Sequence, residues 1–364
     1  MGKCDQNMID EFELHRSREF ANGIRYSQDL HDTNFGKQPS SFDLVVDEFY
    51  RTSIEINGYL TPKLEAALSN VCQRLKLDRN VVAAFVNNSH EIQAACYYVD
   101  EKKCLMRLSS ALVNLLEIRE IEFVMGHEIG HFLLKHAPTG VERSSAEFFV
   151  FQRAKEISAD RIGLVSCGSI QVAGSALVKT ASGLTNTHLE INLDKYLLQL
   201  EQLSVKSKGE NPFKTHPSIL LRTYAISEFS SGIPEVNYNS YGAAEVYERD
   251  KRIKVFLDEY SDKELHRQIS EAKLDLKVWF AAKHISKDQS FTKKEQTIFT
   301  NMFGAEMLDK LKNFFASIQM SEIHIEIDKK ISEARKKLSG LTPSEARNIE
   351  VELAGLVDAK FVET

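Results

Sequence analysis

Cysteine is scarce and scattered: five residues (Cys4, Cys72, Cys96, Cys104, Cys167) among 364, with no C-x-x-C pair. Such a set argues against a disulfide framework and a cysteine-built zinc site, and it fits a reducing compartment. A basic excess is also missing. The net charge of -6 argues against a protein that tracks a nucleic-acid backbone. No apolar run approaches the roughly 20 residues needed to cross a bilayer. The first residues, MGKCDQNMIDEFELHRSREF, lack the apolar core of a secretory signal. Gln6 stands where a myristoylation site wants Ser or Thr. No repeat of fixed period and no low-complexity tract is found. These absences lead us to expect a soluble, cytoplasmic protein with no transmembrane segment and no nucleic-acid partner. What remains, 43% hydrophobic and 27% charged residues, is ordinary globular composition, and the length suggests more than one domain.

Along the chain, residues 1–42 are polar and without a clear period; we read them as an N-terminal arm that is disordered, shortly helical, or laid over the functional site. Thr61-Pro62 opens a helix, with Thr61 as its cap and Pro62 in its first position, and Leu64, Ala67, Leu68, Val71 and Leu75 form its apolar stripe. Three strand-like runs follow, NVVAAFVNN, IQAACYYV and CLMRLSS, the last of which (104–110) is expected to be the exposed edge strand. A helix is predicted from Ile118 to His136, ended by Pro138, and then a second long helix, ERSSAEFFVFQRAKEISADRIGLVSC. Further helices are expected near 169–183, 192–206 and 217–229. The Gly-, Ser-, Asn- and Tyr-rich stretch 230–245 reads as a linker. Beyond it the chain is charged and helical, with capping-box spacing at Thr292…Glu295 and Thr342…Glu345. The order predicts an α+β part with a small sheet, residues 43–235, and an all-helical C-terminal module, residues 246–364.

The informative run is His127-Glu128-Ile129-Gly130-His131. Residues four apart share a helix face, so both imidazoles can bind one zinc ion, and Glu128, one step round, can act as general base on a zinc-bound water. The flanking Ile121, Phe123, Val124, Met125, Phe132 and Leu133 are apolar on several sides, so the helix should be buried, and buried polar groups need partners. Gly130 lowers helix propensity and makes sense where something packs closely on that turn. The continuation has Leu134 and Ala137 where the metzincin pattern needs Gly and a third His. The next helix instead offers Glu156 as third ligand, with Asp160 one turn on to accept the free N–H of a ligating histidine. Without a metal, these residues are solvated helix charges.

HEIGH followed by EISAD resembles the zinc metallopeptidases of the HtpX, Oma-type and CAAX-prenyl endopeptidase family, in the gluzincin group. Thr215-His216-Pro217-Ser218 with Arg222 resembles that family's downstream His-Pro…Arg element. The resemblance spans about residues 45–230. It implies a mostly helical gluzincin-type domain with one zinc ion on His127, His131 and Glu156, Glu128 as base, and His216 stabilising the oxyanion. Arg222 is expected to be a structural ion-pair partner. The chain departs from the family at Gln93-Ala94-Ala95, where relatives carry Asn-Ala-Phe or similar, and in lacking membrane helices. The tail is similar to TerB-like helical domains around Asp288 and Glu295, although Gln289 replaces their usual Gly.

The function expected is zinc-dependent endopeptidase action on extended or unfolded polypeptide. The rival readings are a zinc-stabilised binding scaffold without hydrolysis and an aminopeptidase; the latter lacks an identifiable anchor for a free amine. The C-terminal module is expected to contact a protein partner or regulate the enzyme.

Overall fold

The computed structural model describes residues 14–27, 29, 42–97, 102–136, 145–200, 217–233, 236, 242–260, 263–288 and 291–362. It divides into two compact units, one of residues 1–140 and 150–261, the other of residues 141–149 and 262–364. The first is α+β with one small sheet, and the described elements of the second are all helical.

In the first unit, α1 (Phe42–Thr52) leads into β1 (Ser53–Glu55), and α2 (Pro62–Leu75) follows a short turn. Pro62 does open α2, and the predicted stripe is its buried face. Thr61 does not cap the helix with its side chain; its hydroxyl is held in the preceding turn, where the Asn57 N–H donates to it at 3.0 Å.

The sheet comprises β1, β2 (Val82–Asn87), β3 (Ala94–Tyr97) and β4 (Cys104–Ser109) in the order β1-β2-β4-β3. β4 pairs in parallel with β2 and antiparallel with β3, so CLMRLSS is an interior strand and the edges are β1 and β3. This corrects the expectation for residues 104–110. The reason is in the residue pattern: Cys104, Leu105, Met106 and Leu108 are all buried, and a strand covered on both faces reads as a continuous apolar run. All four residues of β3 are half-buried, as suits an edge.

Past α3 (Ser110–Leu115), the unit is built on α4 (Ile118–Leu133) and on residues 150–167 of α5 (Ala146–Cys167). Residues 120–130 of α4 are buried without a break, as its apolar flanks predict. Buried Lys179 of α6 (Ile170–Ser182) donates to Glu120 at 2.8 Å, and Ser169 and Gly183 bound α6. After α7 (Leu193–Leu197) come α8 (Ile219–Ser230) and α9 (Ala243–Tyr260).

α4 stops at Leu133, short of the predicted end at His136, because Lys135 takes a left-handed φ of 55°. The N–H of Lys135 donates to the Phe132 carbonyl at 3.2 Å and that of His136 to the His131 carbonyl at 2.9 Å. This is a Schellman ending, and it turns His136 back toward His131. Pro138 lies outside the described residues.

Of the expected N-terminal arm, residues 14–23 are helical. Leu14, Ala21, Ile24 and Tyr26 are buried in the first unit. The Ser17 hydroxyl reaches the Leu75 carbonyl at 2.9 Å, and Arg25 Nη2 donates to the Leu134 carbonyl at 2.7 Å.

The second unit holds α10 (Lys263–Ile285), α11 (Lys293–Phe303), α12 (Ala305–Ala316), α13 (Ile323–Leu341) and α14 (Ala346–Val362). Its core gathers Leu276, Ala281, Phe299, Ile327 and Ile331. The Thr292 capping box forms: Glu295 N–H donates to the Thr292 hydroxyl at 3.2 Å, and Thr292 N–H donates back to the Glu295 carboxylate at 2.8 Å.

Candidate metal centre

α4 and α5 approach closely because glycine lies at their contact. A methyl group on Gly130 would stand 3.0 Å from the Ile162 Cβ and 3.2 Å from the Ala159 Cα, and one on Gly163 would stand 2.7 Å from the Phe123 carbonyl oxygen. What packs on the Gly130 turn is therefore α5, through the Ile162 side chain and the Ala159 backbone. That contact delivers Glu156 to the histidines of α4.

His127 Nε2 lies 3.1 Å from His131 Nε2. Glu156 Oε2 is 3.6 Å from His127 Nε2, and its Oε1 is 3.4 Å from His131 Nε2. One ligand atom from each of the three residues falls within 4.8 Å of the others. Zinc bonds of about 2.0–2.1 Å in a tetrahedron place ligand atoms about 3.3 Å apart, close to the 3.1 Å between the two imidazoles and to the 3.6 and 3.4 Å at which one Glu156 oxygen faces each of them.

The outer contacts agree with that fit. His127 Nδ1 is 2.9 Å from Asp160 Oδ1, and His131 Nδ1 is 2.8 Å from His136 Nδ1. With both Nδ1–H groups donated outward, the two Nε2 lone pairs and the Glu156 carboxylate converge on one point. Such a donor set asks for a cation.

The electrostatics follow from burial and pairing. Burial alone would raise the Glu156 carboxyl, yet the His131 hydrogen bond and the Arg222 guanidinium hold it well below the carboxylate range. Burial would depress His131, and Glu156 overrides it, lifting the imidazole to about 9 when a proton occupies the place of a metal. Asp160, wholly buried, is kept ionised against desolvation by Arg222 of α8. Arg222 grips it with two bonds, Nε to Oδ2 at 2.8 Å and Nη2 to Oδ1 at 2.6 Å, and its Nη1 lies 3.5 Å from Glu156 Oε2.

Glu128 is buried and lines the same cavity of about 470 Å³, together with the three candidate ligands and Gln93 to Cys96. Among the described residues, no hydrogen bond or ion pair engages its carboxylate. No residue of the described N-terminal segment lines this cavity. Thr215 and His216 lie outside the described residues, while the Ser218 hydroxyl accepts from the Leu221 N–H and caps the helix that carries Arg222.

Two residues near the cluster escaped the sequence reading, His136 and Asp29. His136 Nε2 is 2.9 Å from Asp29 Oδ2, and both side chains are nearly inaccessible. His136, five positions after His131, carried a signal only for a reader who foresaw the Schellman ending; Asp29, more than a hundred residues upstream, carried none.

The model of peptidase family M48 matches residues 59–150 of the chain. The match supports assignment to the M48 metallopeptidases, a zinc-dependent family. It covers His127, Glu128 and His131 and stops before Glu156, so the third member of the cluster rests on geometry. No curated protein and no solved structure matches the chain. Among the described residues, no helix is long and apolar enough to cross a membrane.

Proposed function

We propose that the chain is a zinc-dependent endopeptidase of the HtpX/Oma type that cleaves extended or unfolded polypeptide. The observation that carries this reading is the convergence of His127, His131 and Glu156 beside the buried carboxylate of Glu128 in one cavity. His127, His131 and Glu156 would hold a single ion. Bound zinc supplies Lewis acidity, which acidifies water and polarises a carbonyl. Glu128 takes the proton of the attacking water on its carboxylate and returns it to the leaving amine. Asp160 orients His127, and Arg222 keeps Glu156 ionised. His216 carries the oxyanion role that the family resemblance implies.

The edge strand supports an extended substrate. The Ser109 N–H donates to the Gln93 carbonyl at 3.0 Å, and the register continues Ala94↔Leu108, Ala95↔Arg107 and Cys96↔Met106. In an antiparallel ladder that phase points the main-chain groups of Ala94 and Cys96 away from β4. A polypeptide can add there as a further strand, with main-chain bonds that do not depend on its side chains.

The helical second unit is read as a protein-interaction or regulatory module of TerB-like character, although the Glu295 carboxylate is engaged in its helix cap.

The test is metal analysis with cleavage of casein by the full chain. One zinc per chain, cleavage abolished by chelator, and recovery on adding zinc are expected. Glu128→Gln should keep the zinc and lose about 10²–10⁴-fold in rate. Turnover retained in that variant removes Glu128 from the mechanism, and zinc binding without any cleavage would make the chain a binding scaffold.

A further inference from the structure

Each candidate ligand histidine has an outer partner, and the two partners are of different kinds. His127 meets a carboxylate directly, Asp160 of α5. His131 meets a second imidazole, and the carboxylate stands one step further out: His131 Nδ1 to His136 Nδ1 is 2.8 Å, and His136 Nε2 to Asp29 Oδ2 is 2.9 Å.

The protons along this chain can be assigned from chemistry. An ionised carboxylate only accepts, so His136 donates its Nε2–H to Asp29. In neutral His136 the Nδ1 is then a bare lone pair, and it can only accept. His131 must therefore carry its proton on Nδ1, which leaves its Nε2 lone pair free on the side where His127 and Glu156 converge.

The segment that holds Asp29 is built into the unit. The Asp29 N–H donates to the Tyr26 carbonyl at 2.9 Å, the Tyr26 N–H donates to the Ser158 hydroxyl at 3.0 Å, and Arg25 lies 3.8 Å from the Asp29 carboxylate. Ser158 is two residues from Glu156 on α5, so the same turn of helix anchors both the N-terminal segment and the third ligand.

We infer that His136 and Asp29 are positioning residues of the metal centre, and that the N-terminal segment, through Asp29, sets the tautomer of His131 and its affinity for zinc. This rests on the metal site proposed above. It assigns Arg25, Tyr26 and Asp29 a part in the catalytic unit, different from that of a removable arm.

The test compares the full chain with His136→Leu, His136→Gln and Asp29→Asn, reading zinc affinity by chelator competition and the visible spectrum of the cobalt-substituted protein. His136→Leu removes the acceptor and should weaken zinc binding about 10- to 100-fold and shift the cobalt bands. His136→Gln offers a carbonyl to the same N–H and should restore most of both. Asp29→Asn, nearly isosteric, should weaken zinc binding by a smaller factor in the same direction. Parent-like affinity and spectrum in His136→Leu would overturn this inference alone. Equal losses in His136→Leu and His136→Gln would also overturn it, since they would make His136 a packing residue. Should His136→Leu not fold, Asp29→Asn against His136→Gln decides, and unchanged zinc affinity in Asp29→Asn would overturn the role of Asp29. A parent chain that binds no zinc would overturn both this inference and the proposed function.

Discussion

Gly163 of α5 faces Phe123 of α4 so closely that a methyl group on the glycine would stand 2.7 Å from the phenylalanine carbonyl oxygen. The obstacle is backbone, which cannot swing aside. Gly163→Ala should therefore spread α4 from α5, costing about 1–3 kcal/mol in urea unfolding. Because Glu156 rides on α5 and the histidines on α4, zinc affinity should fall as well. Unchanged affinity would mean that the helix contact does not set the ligand triangle. Gly130→Ala should be milder, since its nearest obstacle is a side-chain carbon at 3.0 Å and the helix gains propensity.

Arg222 is the counter-charge of the wholly buried Asp160. Arg222→Met would leave that carboxylate without its counter-charge, with only the His127 hydrogen bond remaining, and removal of one partner from a buried ion pair costs about 3–5 kcal/mol. The double variant Arg222→Met with Asp160→Asn should recover part of the loss in unfolding measurements while binding zinc less tightly than the parent. Full stability in the single variant would show the pair to be dispensable.

β3 offers a direct check of substrate pairing. Ala94→Pro removes an N–H that points away from β4 and leaves the ladder to β4 in place. Loss of one main-chain bond to substrate is worth about 1–1.5 kcal/mol, or roughly ten-fold. We expect kcat/KM on casein to fall by about that factor with zinc content unchanged. An unaltered rate would place the substrate elsewhere.

Burial pushes the Cys72 thiol up to about 12 and that of Cys167 up to about 11, from an ordinary 9.0. A group whose folded value is raised contributes stability that is complete below its unfolded value and is lost as pH rises through the folded one. Stability should thus decline between pH 9 and 12, by up to about 1.4 kcal/mol per pH unit for each thiol. Cys72→Ala, followed by alkaline unfolding, should flatten the slope; an identical slope would assign it to other groups. In the native chain at neutral pH, both thiols should resist alkylation.

Several features were legible before any coordinates. His127, Glu128 and His131 lie within five residues of one helix, so their shared face follows from the helical period alone. Glu156 and Asp160, one turn apart on the next helix, were legible by the same period. The buried character of α4 and the Thr292 cap were likewise written in local spacing. Residues 104–109 show where such reading stops: strand propensity marked them, but only the pairing partners decide which strand is interior. The continuous apolar run was the available clue.

The sequence by itself determined the chemistry of the candidate site, because two imidazoles and two carboxylates at helical spacing can be recognised from neighbours in the chain. Only the tertiary structure decided which groups complete it. The 2.7 Å approach at Gly163, the two bonds of Arg222 to Asp160, and the meeting of Asp29 with His136 join residues tens to more than a hundred positions apart. Contacts at that separation depend on how helices cross and where a helix ends, and no local periodicity encodes them.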